Sequence, residues 1–175
     1  MKFHISDDES RRAKIPHEIF LTNLIGNHVL WFIAALGLAK TYWQPLALVP
    51  LISAALLIYS LWRARRSRQR DSWFVMCHWQ ICAGRSRVFI VMLSVALAVS
   101  AMGWLAYSQL DLMKEAVYAL IGGLGILPIM VTVLVLILME SDALHQAALH
   151  KLPDGIVIKY PNPGVPVVEE KALQD

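Results

Sequence analysis

Long apolar runs separated by short charged segments set the pattern of this chain. The runs cover residues 19–39, 46–62, 88–107 and 116–139, and none contains Asp, Glu, Lys or Arg. Each approaches the ~20 residues a helix needs to cross roughly 30 Å of hydrocarbon. A helix on a soluble core would carry a polar stripe, and these runs have almost none. The pattern predicts an all-α integral membrane protein, a four-transmembrane-helix bundle. Residues 46–62 form the shortest run and the one with the least defined ends. The first run follows a charged segment and has no small-residue cleavage site after it. It reads as an uncleaved span, not a signal peptide.

Charge distribution then orients the spans. Residues 1–18, 63–87 and 140–175 lie on one side, and the links 40–45 and 108–115 on the other. The first side carries 14 of the Lys and Arg residues and the second carries 2. Basic residues near span ends are retained in the cytoplasm. Both termini are therefore expected in the cytoplasm, with the chain in a bacterial inner (plasma) membrane. Tyr42, Trp43, Trp104, Tyr107 and Tyr118 fall near the outer boundary, and Tyr59 and Trp62 near the inner one, as an aromatic belt would. The outer links are too short to form a binding domain. The spans share no repeated pattern, which argues against an inverted-repeat transporter.

Composition agrees with this picture: 57% of residues are hydrophobic and 17% charged, against about a quarter charged in a soluble domain. The segment 63–87 needs a separate reading. Arg63, Arg65, Arg66, Arg68, Arg70, Arg85 and Arg87 flank an apolar centre that holds Cys77, His78 and Cys82. Next to a membrane such arginines set topology and meet anionic headgroups or an acidic partner surface, so no nucleic-acid partner is expected. Residues 73–84 read as an interfacial helix between spans two and three, ended by Gly84. His78 and Cys82, four apart, share a helix face and are the one weak metal pair, which Asp142, His145 or His150 would have to complete. Zinc-type CxxC pairs and the CxxCH of c-type haem are absent, and no metal is expected.

Within the spans, Asn23 and Asn27 share one face of the first helix, with His28 beside it and Trp31 one turn on. Polar groups at this depth face other helices or a ligand. They imply interhelical hydrogen bonds, or contact with haem or quinone through His28, Trp31, Asn27 and Asn23. A bis-histidine haem would need its second ligand from another chain. Close helix packing is expected at Ala96, Ser100 and Gly103, and at Gly122, Gly123 and Gly125. Those glycines, followed by Pro128, should loosen or kink the fourth span.

The ends read as accessory. Residues 6–14 look polar and mobile, and Pro16 suits the first turn of a helix leading into span one. Residues 140–152 should continue span four as a helix. Residues 156–160 and 165–168 could pair as a hairpin or lie as an extended tail on a partner. No nucleotide loop, HExxH, catalytic triad pattern or in-span carboxylate pair occurs. The sequence thus points to a non-catalytic accessory, stabilising or assembly subunit of a larger membrane complex, with other membrane-protein subunits and anionic lipid as partners. A redox-linked subunit contacting haem or quinone through the first span is the alternative. A small homo-oligomeric channel or carrier is a second one.

Overall fold

The computed structural model describes residues 1–38, 40–42, 44–110, 113–162 and 164–165. Four helices are long and apolar enough to cross a membrane: α1 (Asp7–Leu38), α2 (Gln44–Arg70), α3 (Trp73–Leu110) and α4 (Lys114–Ala148). A short α5 (Asp154–Lys159) follows. Among the described residues the only β pairing is an isolated bridge between Lys2 and Lys151. Trp43 and residues 166–168, which entered the aromatic-belt and hairpin expectations, lie outside the described residues.

The N-terminal segment is helical rather than mobile. Ser6 caps α1, its Oγ accepting from Glu9 N–H at 3.3 Å and donating to Glu9 Oε2 at 3.5 Å. Asp7, Asp8 and Glu9 put negative charge where the helix dipole favours it. Pro16 therefore sits well inside α1, not in its first turn.

The interfacial helix also differs from expectation. Residues 73–84 are the first turns of α3, which runs unbroken past Gly84 into the third apolar run. Gly84 has open space around it and no positive φ, so nothing there demands a break. The only interruption is the tight turn at Asp71 and Ser72. Asp71 secures it by accepting both guanidinium nitrogens of Arg63 at 2.6 and 2.9 Å, and one from Arg12 at 2.9 Å.

Residues 156–159, expected as a strand, form α5. An isolated hairpin is marginal in water, whereas here Ile156 and Val157 pack on an existing apolar cluster. That cluster joins Phe3, Ala13, Ala64, Phe74, Trp79, Ala147 and Leu152, residues from the N-terminal segment, the segment that follows α4 and the α2–α3 turn. It forms a basal core beyond the apolar runs. A second cluster, built on Phe20, Leu24, Leu57, Phe89, Val133 and Leu136, continues it between the long helices.

Two stretches depart from α-helical winding: Thr22–Trp31 in α1 and Ile121–Ile126 in α4 are π-helical. Wider turns of this kind are rare and concentrate at functional sites. The second contains Gly122, Gly123 and Gly125, just ahead of Pro128.

Candidate functional site

A chain of titratable side chains crosses the junction between the two cores. His17 on α1 donates from Nδ1 to Glu140 Oε2 on α4 at 2.5 Å. His17 Nε2 lies 2.9 Å from His78 Nδ1 on α3. Glu140 Oε1 accepts from Arg85 Nη1 at 3.2 Å, and Arg85 also donates to the Met139 carbonyl at 2.8 Å. His17, His78 and Glu140 are fully buried. Three helices are thus tied together by groups that would be costly to bury singly.

Proton placement follows from the partners. A carboxylate on Nδ1 leaves neutral His17 with a bare Nε2, so His78 donates to it from its own Nδ1. His78 Nε2 is then the outer end of the chain. That atom is buried without a hydrogen-bond partner among the described residues. It lies towards the Lys151 backbone.

The arrangement is linear, not chelating. Both His17 nitrogens are occupied, and among the described residues no three His, Cys, Asp or Glu side chains converge as metal ligands. Of the weak pair, His78 turns to His17, while Cys82 donates its thiol to the Pro16 carbonyl at 3.3 Å. Asp142 accepts from Gln146, and His150 approaches Asp7 at 4.0 Å. Neither joins His78 and Cys82. His17 and Glu140 escaped the sequence reading because one precedes and the other follows an apolar run. The signal lay in spacing: Ser10, Ala13, His17, Phe20, Leu24 and Asn27 are buried on α1, and Val133, Leu136, Glu140, Ala143 and Ala147 on α4. Both stripes follow the alternating 3–4 step of helices packed side by side.

Deeper along α1, Asn23 donates to Ser53 Oγ at 3.3 Å, and Asn27 donates to Asn23 Oδ1 at 3.2 Å and to the Val49 carbonyl at 2.9 Å. These bonds tie α1 to α2. Trp31 donates its indole N–H to the Pro45 carbonyl at 3.0 Å. His28 turns elsewhere. Its Nδ1 donates to the Asn23 carbonyl at 3.0 Å, and its ring stands edge-on to Phe89, centroids 4.9 Å apart. His28 also lines a cavity of about 610 Å³ bounded by all four long helices.

Of the seven arginines expected to face headgroups or a partner, two are engaged internally, because the chain supplies buried acids beside them. Arg63 is held by Asp71 and stacks over Trp79, and Arg85 is held by Glu140. Arg68 reaches Gln80 and Tyr160 Oη, and Arg66 stacks over Trp62. Arg65, Arg70 and Arg87 are exposed. Among the packing residues, a Cβ on Gly103 would fall 3.1 Å from Ile121, and one on Gly125 would fall 3.9 Å from the Ala96 carbonyl. Ser100 lines the cavity, and Gly122 and Gly123 have open space around them. Pro128 opens the regular part of α4, and its carbonyl accepts from Thr132 Oγ1 at 2.8 Å.

Comparison with protein-family models, with curated proteins and with solved structures returns no match for this chain.

Proposed function

We propose that this chain is a non-catalytic, four-helix integral membrane bundle that serves as an accessory, stabilising or assembly subunit of a larger membrane complex. In this reading both termini and the α2–α3 turn lie in the cytoplasm of a bacterial cell, and the opposite ends of the helices face outward. The observation that carries it is the closed polar chain of Glu140, His17 and His78. Glu140 accepts from His17 and Arg85, and His17 Nε2 meets His78 Nδ1, so the set is bonded across three helices, and the three chain members have no solvent-exposed surface. Such a set suits a rigid scaffold better than a catalytic cleft, where an acid and a base must reach substrate.

Partner contact falls to what the fold leaves outward. Arg65, Arg70 and Arg87 are exposed around the basal core, where they would meet anionic headgroups or an acidic subunit surface. Large apolar side chains line the lipid-level faces, including Leu97, Ile58, Leu134 and Leu138, and either lipid or a neighbouring span would cover them. Deleting the chain from its native cell and resolving the membrane complexes on a native gel tests the proposal. One complex should shift to a smaller or less abundant form. An unchanged pattern of membrane complexes would refute the accessory role.

A further inference from the structure

The cavity between the long helices has one feature that a passive lipid groove lacks. Its walls are aliphatic or aromatic almost throughout, from Phe32 on α1 and Ala54 on α2 to Leu97 on α3 and Met130 on α4. Ile58, Leu97 and Met130 are also exposed on the outer apolar face, so the cavity opens sideways at the level of the spans. Its volume of about 610 Å³ falls within the range of small-molecule pockets. Ser94 uses its hydroxyl on the Ile90 carbonyl at 2.9 Å. His28 and Ser100 remain as the polar side chains in the wall.

His28 is poised for one kind of partner. A carbonyl can only accept, so the bond to Asn23 places the proton on Nδ1. Nε2 of the neutral ring is then an acceptor, and among the described residues nothing bonds to it. The wide turns of residues 22–31 and the edge-on contact with Phe89 fix the ring. His28 sits near the middle of the apolar run, where a phosphate or an ammonium would be costly to bring. An occupant must therefore be neutral, apolar over most of its length, and able to donate a hydrogen bond. Phe32, in the same wall as His28, favours a flat ring over a flexible chain.

We propose that this cavity binds an isoprenoid quinol, its ring hydroxyl donating to His28 Nε2 and its tail leaving through the lateral opening. The oxidised quinone has carbonyls in place of hydroxyls and cannot donate, so the site distinguishes the two redox forms. No electron transfer is assigned to the chain. The site holds the reduced carrier, and it stands whether or not a partner subunit is present. Ser100, able to donate or accept, does not discriminate.

Equilibrium binding to the full-length protein in lipid nanodiscs, under anaerobic conditions, tests this with decylubiquinol and decylubiquinone as probes. Saturable binding of one quinol per chain is expected, about tenfold tighter than the quinone, the difference of a single buried hydrogen bond to an otherwise unpaired acceptor. His28→Phe should abolish that preference. Ala54→Phe, which leaves His28 untouched and fills the cavity, should abolish binding of both forms, with circular dichroism confirming a folded chain in each variant. Equal affinity for the two forms, or a quinol preference that survives His28→Phe, would overturn the proposal. So would a haem absorbance band in the purified protein that disappears with His28, since iron would then occupy Nε2.

Discussion

Glu140 is the residue on which most of the basal geometry depends. It accepts from His17 and from Arg85, and no part of it reaches solvent. Removing the acid leaves a guanidinium without its counter-charge and an imidazole N–H without its acceptor in a closed environment. Glu140→Ala should therefore cost about 3–5 kcal/mol, read as a large fall in thermal midpoint of the detergent-purified protein. Glu140→Gln retains two polar atoms and should fall between. If Glu140→Ala melts with the parent, the polar chain does not hold the helices together. His150 gives the opposite case. It ends the α4 region at φ 59°, a left-handed conformation that favours glycine. Its backbone carbonyl accepts from Phe3 N–H at 3.0 Å, and that bond needs no side chain. His150→Gly should leave stability unchanged or raise it by up to about 1 kcal/mol, visible as a higher melting temperature.

Each long helix buries a narrow stripe that carries small and polar residues. On α2 the buried set is Val49, Ser53, Leu57, Ser60, Ala64 and Ser67. Where a helix faces lipid on one side and protein on the other, both sides are apolar, and burial is marked by smallness and polarity. The presence and length of the helices were therefore legible from hydropathy, while the faces they bury were not. Asn23 and Asn27 could be found because asparagine stands out in an apolar run. His17 and Glu140 sat just outside the runs and looked like ordinary boundary residues. The break expected at Gly84 assumed that glycine ends a helix, but the following residues keep the helical path and Phe89 buries on the same element. The expected strand at residues 156–160 failed because β-branched side chains also fit a short helix when a ready apolar surface receives them. The two ends of the chain were read as tails, since the core they share with the α2–α3 turn is assembled from distant segments.

Packing of α3 on α4 yields a contrast between glycines. Gly103 has Ile121 atoms 3.1 and 3.2 Å from the place of a Cβ, and Gly123 has nothing within 4 Å. Gly103→Leu should destabilise by about 1–3 kcal/mol through overpacking. Gly123→Ala should be neutral or stabilising by up to about 1 kcal/mol, because alanine favours the helix. Melting curves of the two variants side by side check this. Equal losses would mean that the helices do not approach as described.

At the scale of the whole molecule, the N-terminal segment, residues 147–160 and the α2–α3 turn share one core. Met1 donates its ammonium to the Leu152 carbonyl at 2.9 Å, and Trp73 donates to the Tyr160 carbonyl at 2.6 Å. In the proposed topology these three segments lie on one side of the membrane, the side that holds most of the Lys and Arg. Single cysteines introduced in a background lacking Cys77 and Cys82 locate that side. Ser108→Cys should react with an impermeant maleimide in intact cells, and Gln69→Cys should react only after permeabilisation. The reverse pattern would invert the orientation.

The accessory role makes a demand on composition as well as on orientation. A chain that completes a larger assembly should leave the membrane with it. Native mass spectrometry of the affinity-tagged chain, extracted from its own membranes in mild detergent, measures this directly. The expected result is a species heavier than the 19.7 kDa chain, containing one or more different membrane subunits in fixed ratio. A lone 19.7 kDa protein, or a homo-oligomer that conducts solutes when placed in liposomes, would contradict it.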